Sequence, residues 1–178
     1  MKKYLVQFKP FLIFVGIFFL TYIVLTVLYK FYLNSFGAND LDDITLIVGR
    51  NTEQLLKLFN YDVIIQKSAQ YPWMNVLLNG MKIALIVEGC NAISVMILFV
   101  SFVTAFSGKL KQTFLFIVFG IVSIYILNVI RIALLTVLLL CFPSQNHLLH
   151  GVVFPLIIYG YVFILWIFWI NRFSKYAG

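Results

Sequence analysis

Three side chains able to do chemistry stand in otherwise apolar surroundings: Cys90, Arg131 and His150. Cys90 opens VEGCNAISVMILFVSFV (87–103), which is almost wholly apolar from Ala92 onward. Arg131 sits between LNVI and IALL, and His150 heads the last long apolar run, with His147 one turn before it. Together they suit acyl transfer. A thiolate is the nucleophile, and a nearby cation lowers its pKa from about 8.5. Histidine takes and returns a proton near neutral pH. Arginine keeps its charge and offers a fork of donors to an oxyanion. Asn128 lies one turn below Arg131 on the same helix face and is read as a supporting residue. Glu88 can pair with Arg131 or sit among headgroups.

The elements that must position these residues follow from composition. Of 178 residues, 63% are hydrophobic and 11% charged. Long uncharged runs on that background make an all-α integral membrane protein. The pattern predicts four transmembrane helices, at 10–29, 90–106, 113–142 and 150–170, in a single membrane domain spanning 1–178. The first is read as an uncleaved helix behind a basic start, since no small-x-small cleavage site follows it. Between the first and second lies an extracytoplasmic segment, 30–87, predicted to hold a helix and a β-hairpin. The helix is DDITLIVGRNTEQLLKLFN (42–60), with a break expected at Gly49-Arg50-Asn51. The hairpin is YPWMNVLLNGMKIALIV (71–87), because Asn79-Gly80 accepts the positive φ of a type I′ turn. Its second strand runs straight into Glu88-Gly89-Cys90.

The formal charge is +7, and its distribution decides its meaning. With a cytoplasmic N-terminus and four spans, the inner segments hold Lys2, Lys3, Lys9, Lys109, Lys111, Arg172 and Lys175 and no acid. The positive-inside rule then puts both termini in the cytoplasm and every acid outside. The basic residues form no stripe along the chain, so no nucleic-acid partner is expected. Neither a metal-ligand cluster nor a glycine-rich phosphate loop occurs, so no metal and no cofactor is expected.

Counting upward from the cytoplasmic ends brings the three residues to one level. Cys90 lies about 24 Å above Phe106, Arg131 about 27 Å above Thr113 and His150 about 30 Å above Ile170. Each has an ordinary use as well. A membrane cysteine serves as a small buried hydrophobe, an arginine snorkels, and a histidine sits at an interface. An arginine this deep in an apolar helix is costly, however, and needs a partner or a wet pocket. A disulfide between Cys90 and Cys141 is disfavoured, because Cys141 lies about 15 Å beyond Arg131 on the same helix and disulfide Cα atoms must come within about 7 Å.

In order and spacing, VEGCNAI (87–93), NVIR (128–131) and HLLHGVVFP (147–155) resemble the exosortase/archaeosortase family. The short length and FPLIIYG (154–160) look most like its Bacteroidetes-type branch, exosortase F. The resemblance covers roughly residues 71–170. It implies an inner-membrane cysteine transpeptidase or protease of envelope protein sorting, with its active site facing the periplasm. The implied partners are membrane lipid and proteins carrying a C-terminal motif, a transmembrane helix and a basic tail. Residue by residue it implies Cys90 as nucleophile, Arg131 as electrostatic stabiliser and His150 as proton shuttle. Many members have Ser-Gly after the cysteine, where this chain has Asn91-Ala92. Many also have glycine four residues after the histidine, which His147 meets with Gly151 and His150 does not. His150 is preferred because it begins the span and is followed by Phe-Pro; His147 is the competing candidate.

The expected reaction cleaves a sorting signal through a thioacyl intermediate, which an amine, a hydroxyl or water resolves. Two other classes keep the same residues: a thiol-dependent acyltransferase acting on lipid acyl groups, and a non-enzymatic membrane interaction protein in which Cys90 tolerates substitution.

Overall fold

The computed structural model describes residues 8–37, 40–106 and 108–173. Lys2, Lys3 and Lys175, used above in placing charges, lie outside them. Helix α1, Lys9–Leu33, starts with Pro10 in its first turn, where the missing N–H costs nothing. None of its residues is buried within the protein. It touches its neighbours through aromatic rings, Phe14 meeting Phe106 and Phe102 at centroid distances of 4.3 and 5.9 Å.

Helix α2, Asp43–Leu58, runs unbroken through Gly49-Arg50-Asn51, where a break was expected. Its N-cap is Asp42, whose carboxylate accepts from Thr45 N–H at 2.9 Å and from the Thr45 hydroxyl at 2.6 Å. Gly49 is there for close packing. A Cβ on it would lie 2.4 Å from Met74 Sδ, so the bare backbone lets α2 settle onto the sheet.

That sheet has three antiparallel strands in the order β1 (Val63–Lys67), β2 (Trp73–Leu78), β3 (Met81–Val87). Asn79 and Gly80, at φ 51° and 74°, turn β2 into β3. The expected hairpin is therefore present, with β1 added to it, in a protein that is otherwise mostly helical, as expected. Val63, Ile65, Met74, Val76, Leu78 and Ile86 are buried beneath Val48 and Leu56 of α2. The same core includes Ile132 and Ala133 of α4, Leu110–Cys141. Sheet and α2 thus rest on the C-terminal part of α4. Asn51 adds a strap, donating to the Tyr125 hydroxyl at 2.6 Å.

After α4, the turn Pro143–Gln145, one helical turn at Asn146–Leu148 and a π-helical turn at Leu149–Val153 lead into α5, Phe154–Arg172. Three helical stretches among the described residues are long and apolar enough to cross a membrane: Lys9–Leu33, Leu110–Cys141 and Pro143–Arg172. The remaining apolar helix, α3, is Ile93–Ala105. At about 1.5 Å per residue its 13 residues fall short of a bilayer core of roughly 30 Å. Three of the four expected spans are thus shown by length and composition among the described residues. The shortfall has a local cause, because Glu88–Asn91 forms a 3-10 turn and Ala92 is left-handed, so the helix cannot begin before Ile93.

Helix α3 is held in the bundle by aromatic packing. Phe99 is fully buried beside Phe116 and stands where a side chain on Gly120 would be; a Cβ there would lie 2.1 Å from Phe99 Cζ. At the lower end, the Trp169 indole N–H of α5 donates to the Phe106 carbonyl at 2.9 Å. The protein is a multi-pass helical membrane protein with its sheet on one side of the bundle.

Candidate active site

Cys90 lies on the turn Glu88–Asn91 between β3 and α3, two residues before the left-handed Ala92 (φ 61°). The expected helix from residue 90 does not reach it. Its side chain is half-buried against the α2–sheet core and is a free thiol.

Two asparagines fix the turn from opposite sides. Asn128, fully buried on α4, donates from Nδ2 to the Cys90 carbonyl at 2.7 Å. Asn91, also buried, donates from Nδ2 to the Tyr29 hydroxyl at 2.7 Å and to Thr45 Oγ1 at 3.2 Å. The Asn91 Oδ1 accepts from Ile93 N–H at 3.0 Å, satisfying one of the orphan donors at the start of α3. Thr45 is held in turn by Asp42. A polar network therefore joins α1, α2 and the cysteine turn where apolar residues surround it.

Arg131 is half-buried one turn beyond Asn128, its Nη1 3.5 Å from Asn128 Oδ1, a long and weak contact. Its buried Nε has no hydrogen-bond partner among the described residues. The ion pairs among those residues are Lys57–Glu53 and Lys67–Asp40, so no carboxylate neutralises Arg131. Glu88 is exposed, and the expected option of a Glu88–Arg131 pair is not realised.

His150 lies in the π-helical turn and is exposed. His147 is exposed in the preceding turn. Cys141 ends α4, ten residues past Arg131, and is a free, exposed thiol. Cys90, Asn128 and Arg131 therefore belong to one neighbourhood, from which Cys141 is removed by nearly three helical turns.

Asp42, Tyr29, Thr45 and the anchoring role of Asn91 were not identified from sequence. Asp42 followed by Thr45 carries a legible N-cap signal. Nothing in the sequence pairs Tyr29 with Asn91, which are 62 residues apart.

A family model described as transmembrane exosortase matches residues 8–172. No curated protein and no solved structure matches the chain.

Proposed function

Because the chain belongs to the transmembrane exosortase family, we propose that it is a membrane-embedded cysteine transpeptidase or protease that cleaves the C-terminal sorting signals of envelope proteins. Family membership points to a membrane transpeptidase-like enzyme; the cysteine mechanism, the substrates and the orientation are our reading. The observation that carries it is the 2.7 Å bond from Asn128 to the Cys90 carbonyl. It ties the only half-buried thiol among the described residues to the helix bearing Arg131.

The substrate's C-terminal helix docks laterally from the bilayer, which brings its scissile peptide bond to the outer interface. Cys90 Sγ, as thiolate, attacks the carbonyl carbon. Arg131 donates from its guanidinium to the oxyanion of the tetrahedral intermediate. The C–N bond breaks, and His150 protonates the leaving amine. An amine, a hydroxyl or water then attacks the thioester and returns the thiolate. Asn128 positions both partners. The active site faces the periplasm of an inner-membrane protein, and the FPLIIYG stretch supports placing the chain in the exosortase F branch.

The reading is tested by replacing Cys90 with Ala in the native host and following, by mass, envelope proteins that end in a membrane span and a basic tail. Retained signals with normal membrane abundance of the variant support it. Normal maturation of every such protein leaves Cys90 structural and removes the enzyme reading.

A further inference from the structure

The strand that leads to Cys90 is an edge strand. In the order β1-β2-β3, only β2 flanks β3, and which of its backbone groups remain free follows from the ladder. Ser68 N–H donates to the Trp73 carbonyl and Asn79 N–H to the Asp62 carbonyl, each at 2.9 Å. Odd-numbered residues of β2 therefore turn their backbone groups toward β1 and even-numbered ones toward β3. Through the pairs Met74↔Ile86 and Val76↔Ala84, Ile86 and Ala84 direct theirs to β2. Leu85 then directs its N–H and C=O outward and Val87 its N–H, while the Val87 carbonyl, as N-cap of the Glu88–Asn91 turn, accepts the first bond of that turn. Among the described residues, no turn, loop or cap hydrogen bond of the backbone involves Leu85.

The open part of this edge is the part nearest the nucleophile. Ile83 and Ala84 are covered by Leu135, Leu139 and Phe154, whereas Leu85 and Val87 are 43% and 40% exposed. Where the strand ends, a cleft lined by Leu41, Pro72, Trp73, Val87, Glu88 and Gly89 opens beside the cysteine turn. A row of unpaired backbone groups is matched by another extended chain, and an adjoining pocket for alternate side chains adds selectivity. Such a ladder also fixes register, which a nucleophile a few residues further on requires.

We propose that the Leu85–Val87 edge binds the substrate as an added β-strand, pairing with the extended peptide segment at the scissile bond and delivering its carbonyl to Cys90. This rests on the cysteine-enzyme reading above. The ligand class is an extended polypeptide read mainly through its backbone, with one side chain seated in the cleft.

The probe is the envelope protein whose C-terminal signal is retained in Cys90→Ala cells. Leu85→Pro removes one outward N–H and leaves the bonds to β2, a substitution that edge strands accept. Cleavage is expected to slow roughly 10-fold or more, with unchanged membrane abundance. Independently, a photo-crosslinking amino acid at Leu85 or Val87 in the Cys90→Ala background captures the uncleaved protein. The same group at Ile64, exposed on β1, does not. Capture at Ile64 but not at Leu85 or Val87, or wild-type cleavage by Leu85→Pro, overturns the edge proposal while leaving Cys90 as nucleophile. If Cys90→Ala retains no signal at all, the enzyme reading fails and the edge proposal falls with it.

Discussion

Asn128 donates its amide to the backbone carbonyl of Cys90 across 2.7 Å while its oxygen faces Arg131. One fully buried side chain on α4 thus touches both the turn of the thiol and the helix face of the cation. Asn128→Asp keeps the oxygen and removes the donor, so the Cys90 turn loses its tie to α4. Cleavage is expected to fall about 10- to 100-fold. Asn128→Gln, which retains the donor on a longer stem, is expected to recover part of the loss in the same mass assay.

Arg131 has no carboxylate beside it and an unsatisfied buried Nε. If the guanidinium serves the oxyanion, Arg131→Lys is not conservative, because a point charge cannot reproduce the fork. The expected cost is roughly 10²- to 10³-fold in turnover. His150→Ala is expected to cost roughly 10²- to 10⁴-fold, since proton transfer to the leaving amine is lost. His147→Ala is expected to stay near the wild-type rate. A profile in which His147→Ala is the inactive variant reassigns the proton shuttle.

Ala92 takes a left-handed conformation (φ 61°) that costs an L-residue about 1–2 kcal/mol. Glycine adopts it freely and loses part of that gain to chain entropy. Ala92→Gly is therefore expected to stabilise the protein by about 0.5–1 kcal/mol, read as a higher thermal midpoint in detergent.

Gly120 allows α3 and α4 to meet across the ring of Phe99. Gly120→Ala must displace a fully buried phenylalanine. The expected cost is about 1–3 kcal/mol, with a lower thermal midpoint and lost activity appearing together. Lost activity at an unchanged midpoint contradicts this packing role.

How much of this was legible beforehand varies with the range of the interaction concerned. The i, i+3 spacing put Asn128 and Arg131 on one face, and the Asn79-Gly80 turn is a two-residue signal, so both could be read locally. Counting residues placed Arg131 near the level of Cys90 although Cys90 is not helical, because a 3-10 turn also advances the chain. Other features depended on partners distant in sequence. Gly49 reads as a helix break until Met74 is known to lie against it. Strand β1, VIIQK, is five residues long and is specified by its pairing with β2 more than by its own pattern. Tyr29 reads as one more interfacial aromatic at the end of a span until its hydroxyl meets Asn91. The shortness of α3 follows from Ala92's backbone, which side-chain hydropathy does not report.

The central claim is that Cys90 carries the acyl group. The most direct measurement is mass spectrometry of the protein rapidly acid-quenched from cells processing an envelope substrate, with and without hydroxylamine. The account predicts a substrate fragment on the Cys90 peptide that hydroxylamine releases, and its absence from Cys90→Ala. An unmodified Cys90 peptide during active processing, or an adduct on Cys141, would contradict it.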